Sequence, residues 1–169
     1  MSPDPMQAAR RVGESAIEMA QLVLPHEANV HGTVLGGTVM HWIDLAAAAV
    51  ATRHARRPVV TAAIDEMSFE APIQVGQLAL IRACMTLVDR SSMEIRVDVE
   101  AEDMIRNERR HTSTAFVTFV ALDPDTGRPS PVPRLTLETD AQRAEHAAAL
   151  ERRRARLARR PTLSHPTGR

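Results

Sequence analysis

Residues 36–54 read GGTVMHWIDLAAAAVATRH. Gly36 and Gly37 open the stretch, and from Thr38 to His54 it holds neither glycine nor proline. Val39, Met40, Ile43, Ala46, Ala47 and Val50 recur at the three- and four-residue spacing of one helical face. The spacing predicts a helix from Thr38 to about His54, with a face of small side chains that lets a sheet approach closely.

The flanks on either side read as strands. Ile17 to Leu24 is a short apolar run stopped by Pro25, and a loop from His26 to Leu35 joins it to the helix. After the helix, Val59 to Phe69 is rich in strand-forming residues and ends near Pro72. Leu78 to Val88 places Ala79, Ile81, Ala83, Met85 and Leu87 on one face. Ser92 to Glu102 alternates, with Met93, Ile95, Val97, Val99 and Ala101 inward and Ser92, Glu94, Arg96, Asp98, Glu100 and Glu102 outward, the pattern of a strand with one wet face. Asp89-Arg90-Ser91 is the hairpin turn between these two runs. Thr112 to Leu122 is apolar or threonine on both faces and suits a strand inside the sheet, and residues 123–127 form a turn. Pro129, Pro131 and Pro133 close the domain. Thr139 to Arg160 reads as a helix capped by Thr139 or Asp140, and the last nine residues are expected to be disordered. The fold class is therefore α+β: one long helix on one face of a mostly antiparallel sheet of about five strands, plus a C-terminal helix. Residues 1–14 read as a flexible N-terminus, 15–136 as the domain and 137–169 as an arginine-rich helix and tail.

Composition narrows the function. A chain of 169 residues fits one domain with some tail. No apolar run reaches the roughly 20 residues of a membrane span. Cys84 is the single cysteine, which excludes an intrachain disulfide and a cysteine-built zinc site. No apolar stretch follows Arg10 and Arg11, so no signal peptide is expected and a cytoplasmic location is. All 21 basic residues are arginine and the net charge is +0. Residues 143–169 nevertheless carry +6 and the remainder −6. The tail is basic enough to attract nucleic acid or anionic lipid, but packing on the acidic surface of its own domain is the simpler reading. The only aromatics are Trp42, Phe69, Phe116 and Phe119, which leaves little for base stacking and argues against a nucleic-acid partner.

The densest chemistry lies in residues 25–44, PHEANVHGTVLGGTVMHWID. Asn29, Gly32, Gly36 and Gly37 sit in or beside a loop, and Asp44 interrupts an otherwise apolar helix. Read alone, Asp44 is more simply a solvated or paired carboxylate than a buried one. His31 and His41 read as plain polar residues, although His41 lies one turn before Asp44. Cys84 reads as a core filler, and Asp65-Glu66 as a possible pocket rim.

The pattern Asn29-x-x-Gly32-x-x-x-Gly36-Gly37 followed by Trp42-Ile43-Asp44 resembles the signature of the hotdog-fold acyl-coenzyme A thioesterases, in the branch of the cytosolic acyl-CoA hydrolases and the small bacterial YciA-like enzymes. Val60-Thr61, Met67-Ser68-Phe69, Ala71-Pro72-Ile73 with Gly76, Arg90-Ser91-Ser92-Met93-Glu94 and Phe119-Val120-Ala121-Leu122-Asp123 follow in the family's order. Together the pieces cover residues 17–135. The resemblance implies a long central helix wrapped by a curved sheet, with active sites between paired subunits and a homo-oligomer built from dimers, a hexamer by preference. It also implies a catalytic pair of a loop Asn and a helix acid from opposing subunits, at Asn29 and Asp44, and a coenzyme A contact at Arg90, Ser91 and Ser92. Arg53, Arg56 and Arg57 are rival partners for the phosphates of coenzyme A.

The chemistry fits these residues. A thioester is already activated, so its hydrolysis calls for no metal and no cofactor. It needs a carboxylate to deprotonate or orient water, and donors for the oxyanion. Asp44 can be that base or, as a weaker alternative, a nucleophile that forms an anhydride. Gly36 and Gly37 offer backbone N–H groups at the positive end of the helix dipole. Asp44 lies seven residues beyond Gly37, about 10 Å along the axis, so one carbonyl does not easily reach both. Base and amides are thus expected from different chains, and a monomer is expected to be inactive. Two other readings compete: a hotdog hydratase, which would use a His paired with a helix acid, and a non-catalytic acyl-CoA-binding sensor module.

Overall fold

The computed structural model describes residues 8–65 and 67–159. In chain order the elements are β1 (Arg10–Arg11), α1 (Val12–Ser15), β2 (Ile17–Leu22), a 3-10 turn (Pro25–Glu27), α2 (Gly36–Ala55) and β3 (Val59–Ile64). There follow β4 (Leu78–Val88), β5 (Ser92–Asp103), β6 (Glu108–Ala121), β7 (Leu135–Thr136) and α3 (Asp140–Ala158). Five strands form one antiparallel sheet in the order β2-β4-β5-β6-β3, and β1 pairs with β7 in parallel. The helix α2 packs on one face of the large sheet, as the alternation in β5 requires. Met93, Ile95, Val97, Val99 and Ala101 are all buried there with Val39, Trp42, Ile43 and Val50. Ala46, Ala47, Ala51 and Ala55 are 1% exposed or less, so the helix meets the sheet through methyl groups. Each large aliphatic side chain buried in this layer contributes about 1.5–3 kcal/mol.

The α2 helix begins at Gly36, two residues earlier than its periodicity suggests, and Leu35 at its N-cap provides no side-chain cap. At the other end Arg56 takes the left-handed conformation, φ 53°, that glycine usually fills. There the Arg10 guanidinium donates to the carbonyls of Arg53 and His54 at 3.0 and 2.6 Å. This contact and the β1–β7 pairing correct the reading of residues 1–14 as a flexible N-terminus. Residues 10–14 are built into the fold because Arg10 supplies the positive charge that a helix C-terminus attracts. Residues 1–7 lie outside the described residues. His54 is wholly buried and donates from Nε2 to the Pro133 carbonyl at 2.8 Å. Burial favours its neutral ring and holds its pKa below the ordinary value.

Strand lengths differ from expectation where a turn or bulge intervenes. β3 stops at Ile64 rather than Phe69, and β6 starts at Glu108 rather than Thr112 because it pairs with β5 along its whole length. In β4 the extra residue Thr86 makes a bulge, its hydroxyl donating to the Glu94 carbonyl and side chain at 3.0 and 2.9 Å. The bulge shifts the side-chain parity, so Leu87 lies opposite Glu94 on the outer face instead of continuing the inner row. Cys84 also corrects its reading: it pairs with Arg96 on the outer face and stays half-buried outside the main core.

The outer face of β5 is not wet throughout, because α3 covers part of it. Thr139 caps α3 reciprocally with Gln142. Arg152 then reaches Glu94 at 2.9 Å and Glu145 at 2.6 Å, with its guanidinium 3.6 Å above the Phe116 ring. Arg96 joins Glu145 to Asp98, Arg156 binds Asp65 at 2.9 Å, and Arg153 binds Asp89. The basic helix thus lies on the acidic surface of its own domain. Arg160 and the nine residues expected to be disordered fall outside the described residues.

Candidate active site

Asp44 is placed by the α2 periodicity. Its neighbours Ile43, Ala46 and Ala47 face the sheet, which turns Asp44 to the half-buried edge of the helix. Thr61, on β3, donates its hydroxyl to Asp44 Oδ1 at 2.8 Å. This bond fixes the carboxylate, and the second oxygen has no hydrogen-bond partner among the described residues. In the sequence Thr61 stands only as part of the Val60-Thr61 motif, with no role attached to it. It lies 17 residues from Asp44, and only the sheet topology joins them.

Asn29 is fixed by its own loop. Its Oδ1 accepts from the backbone N–H of His31 at 2.9 Å and of Thr33 at 3.3 Å, while Nδ2 donates to the Thr33 hydroxyl at 2.9 Å. Gly32 turns the loop at φ 75°, in the region glycine favours. One Nδ2 hydrogen remains for a ligand, since an amide carries two donors. Asn29 and Asp44 are not hydrogen-bonded to each other within the chain. His41 is exposed and makes no hydrogen bond to Asp44, so it remains a plain polar helix residue.

At the start of α2 the N–H groups of Gly36 and Gly37 have no acceptor among the described residues. Beside them opens a cleft of about 390 Å³, lined among others by Thr33, Val34, Gly36, Val39, Phe69 and Ile73. A Cβ on Gly36 would stand 3.6 Å from the Phe69 ring, which itself is half exposed. Gly36 thus brings a free backbone donor to a mostly apolar groove, with the Gly37 N–H next in the chain. Asp65, read as a possible rim residue, is instead paired with Arg156, and Glu66 lies outside the described residues.

Arg90 and Ser91 lie in the β4–β5 turn, and Ser92 opens β5. The turn is pinned from both sides: Ala121 N–H donates to the Ser91 carbonyl at 2.9 Å and Val132 N–H to the Arg90 carbonyl at 3.1 Å. The Arg90 side chain is exposed and unpaired among the described residues. The rivals differ. Arg53 donates to the Ala16 carbonyl at 2.9 Å and Arg57 lies 3.8 Å from Asp123, while Arg56 ends the helix. Among the described residues no cluster of His, Cys, Asp and Glu could hold a metal ion, and no helix is long and apolar enough to cross a membrane.

Comparison with known proteins agrees with this geometry. Residues 31–107 match the family model of the thioesterase superfamily. The chain is 40% identical over 139 residues to the uncharacterised acyl-CoA thioester hydrolase YkhA of Bacillus subtilis, covering 82% of this chain and 80% of that one. The structure is similar to an apo-hexameric acyl-CoA thioesterase, with a TM-score of 0.84 and 35% identity over 90% of this chain and 99% of that one. It is also similar to an acyl-CoA hydrolase from Staphylococcus aureus in complex with butyryl coenzyme A, coenzyme A and coenzyme A disulfide. Here the TM-score is 0.81, with 35% identity over 89% and 93% of the two chains. Structures of alanine variants of an Asp, a Thr and an Asn of that enzyme are also similar to this one. With the five-stranded sheet wrapped on one long helix and these likenesses spanning most of its length, the chain belongs to the thioesterase superfamily, among the hotdog-fold acyl-CoA thioester hydrolases.

Proposed function

We propose that the chain hydrolyses acyl-CoA to a free carboxylic acid and coenzyme A, with Asp44 as the general base. The observation that carries this reading is the Asp44–Thr61 bond of 2.8 Å, which aims a carboxylate with one unengaged oxygen from the edge of the central helix. That oxygen takes a proton from water as the water oxygen attacks the thioester carbonyl. The oxyanion forms against the N–H groups at Gly36 and Gly37, in the favourable field of the helix N-terminus. Collapse of the tetrahedral intermediate breaks the C–S bond, and the leaving thiolate recovers the proton. Asn29 orients the water or the carbonyl through its remaining N–H. The reaction draws on no metal and no cofactor in this reading, because a thioester is already activated and coenzyme A is part of substrate and product. That the S. aureus hydrolase variants concern an Asp, a Thr and an Asn supports assigning Asp44, Thr61 and Asn29 to one site.

The site is composite in this reading. Asp44 and the Gly36–Gly37 amides are separated by about 10 Å along α2, so Asn29 and the amides of one subunit serve Asp44 of the other. β3 ends the sheet with a free edge on which Val60 and Ile64 are exposed, and this edge is the seam of the dimer. Three dimers make a hexamer, supported by the likeness to a hexameric thioesterase. Arg90, Ser91 and Ser92 hold the nucleotide half of coenzyme A, and the enzyme works in the cytoplasm.

The test is thiol release from a panel of short- to long-chain acyl-CoAs by the wild type, Asp44→Ala and Asn29→Ala. Loss of a general base is expected to lower kcat about 10²–10⁴-fold while binding persists. Tight acyl-CoA binding with no turnover in the wild type would replace the enzyme with a sensor. Full turnover by a sedimenting monomer would overturn the shared site.

A further inference from the structure

A second polar pocket, of about 590 Å³, lies beside the β4–β5 turn and has no role in the hydrolytic step. Three separate segments build it: the turn with Asp89 and Arg90, the strap with Val132 and Arg134 that leads into β7, and His146 of α3. Backbone bonds fix the walls to each other, Val132 N–H to the Arg90 carbonyl at 3.1 Å and Arg10 N–H to the Arg134 carbonyl at 2.8 Å. The pocket gathers cationic side chains that the fold leaves unused. Neither Arg90 nor Arg134 makes a side-chain hydrogen bond or ion pair among the described residues, whereas Arg96, Arg152, Arg153 and Arg156 close by are all engaged with carboxylates. The one carboxylate in the pocket, Asp89, is paired with Arg153. His146 Nδ1 lies 2.9 Å from the Thr86 carbonyl. A carbonyl only accepts, so Nδ1 carries the proton and Nε2 is the nitrogen left over.

We infer that Arg134 and His146 are substrate-binding residues, forming with Arg90 a pocket for the phosphorylated nucleotide half of coenzyme A. The inference rests on the acyl-CoA reading above and extends it to residues outside the signature motifs. Two unpaired guanidinium groups in one rigid concavity suit a phosphate, which takes paired N–H donors from each. His146 Nε2, the ring nitrogen left over, is placed for a hydrogen bond with a ribose hydroxyl beside that phosphate. The C-terminal helix then does more than cover the sheet, since His146 reaches the pocket only because the Arg152 and Arg156 pairs seat α3.

The experiment compares the KM of one short-chain acyl-CoA, its dephospho-CoA counterpart and the matching acyl-pantetheine thioester, for wild type, Arg134→Ala, Arg134→Lys and His146→Ala. Arg134→Ala is expected to raise the KM for acyl-CoA about tenfold, the worth of one charge-assisted contact. Arg134→Lys recovers part of that loss, and His146→Ala costs about threefold. The KM for acyl-pantetheine, which lacks every phosphate of the nucleotide, stays as in the wild type. If the Arg134→Ala penalty vanishes with the dephospho-CoA thioester, the pocket holds the 3′-phosphate; if it persists there but not with acyl-pantetheine, it holds the pyrophosphate. Unchanged KM for acyl-CoA in both alanine variants overturns the inference. So does ADP binding that the variants lose while their KM for acyl-CoA is kept, since the pocket would then serve a free nucleotide. Failure of the wild type to hydrolyse any thioester would count against the proposed activity alone. Calorimetric titration with 3′,5′-ADP would still test the pocket, and equal affinity of wild type and Arg134→Ala would overturn it.

Discussion

The two faces of the sheet are covered by two helices of nearly equal length and opposite chemistry. On the inner face α2 buries Trp42, Ile43, Val50 and a row of alanines, with no ion pair between helix and sheet among the described residues. On the outer face α3 has one buried apolar residue, Ala149, and attaches through arginines to Glu94, Asp65 and Asp89. The inner layer therefore supplies the stability, in the non-directional currency of burial. The outer layer supplies position: each charged hydrogen bond requires one geometry, and most of its energy offsets desolvation. The difference matters for function because Asp44 stands at the rim of the inner layer and His146 in the outer one.

The largest effect is expected where the inner layer is cut. Ile95→Ala removes a fully buried side chain at the centre of the sheet and is expected to cost about 3 kcal/mol, within the usual range for such cavities. Urea unfolding at low and high salt measures it, and the loss should not depend on salt. A loss below about 1 kcal/mol would mean that the two faces do not differ as described.

Next comes the outer layer at its most buried point. Glu94 is 2% exposed, its Oε1 takes bonds from Thr86 and Arg152, and its Oε2 is left to Arg156 at 3.7 Å. Arg152→Ala strands this carboxylate and is expected to cost about 2 kcal/mol. Glu94→Gln together with Arg152→Met should recover most of that, since paired removal avoids an orphaned charge. Double-mutant unfolding checks the coupling, and additive losses would refute it.

A smaller effect separates the layers by pH. His54, at the C-terminal end of α2, is buried neutral, with its pKa depressed first by burial. In the native state it therefore binds fewer protons than in the unfolded chain, and stability rises with pH across that interval. Its contribution is complete above the unfolded value of about 6.5 and is lost as pH falls from there toward the depressed native value, by at most about 1.4 kcal/mol per pH unit. Unfolding curves from pH 8 to pH 5 should show this slope in the wild type and not in His54→Gln. Equal slopes would place the acid sensitivity elsewhere.

The same contrast explains what was legible in the sequence. The inner layer follows from periodicity, because burial needs only apolar residues at the right spacing; α2, β4 and β5 were readable to within about two residues. Asn29, Asp44, Gly36 and Gly37 stand out in the sequence as candidates because they cluster in 16 residues and resemble a family pattern. Thr61 carried no role because the bond to Asp44 depends on which strand flanks the helix. Leu87 was misplaced because a bulge leaves no composition signal, and the order of residues 10–14 was missed because a single Arg10 anchors them. The outer layer was readable only as net charge. Which arginine meets which carboxylate is decided by the angle of α3, and the free state of Arg134 emerges only after its neighbours have been paired.

The smallest stability effect is expected at the rim, where the layers' roles part most cleanly. Arg153 and Asp89 pair with side chains 34% and 47% exposed, so the bond is screened by water. Arg153→Ala is expected to change stability by less than about 0.5 kcal/mol. Asp89 belongs to the Arg90–Arg134 pocket, however, and without Arg153 its charge is no longer offset. The substitution should therefore raise the KM for acyl-CoA severalfold, more at low salt than at high salt, while the unfolding midpoint hardly moves. Asp89→Asn in the same background should reverse the KM effect. A variant that loses stability but keeps its KM would show that this pair belongs with Arg152 and Glu94 in holding α3 down, and that the phosphate pocket does not feel Asp89.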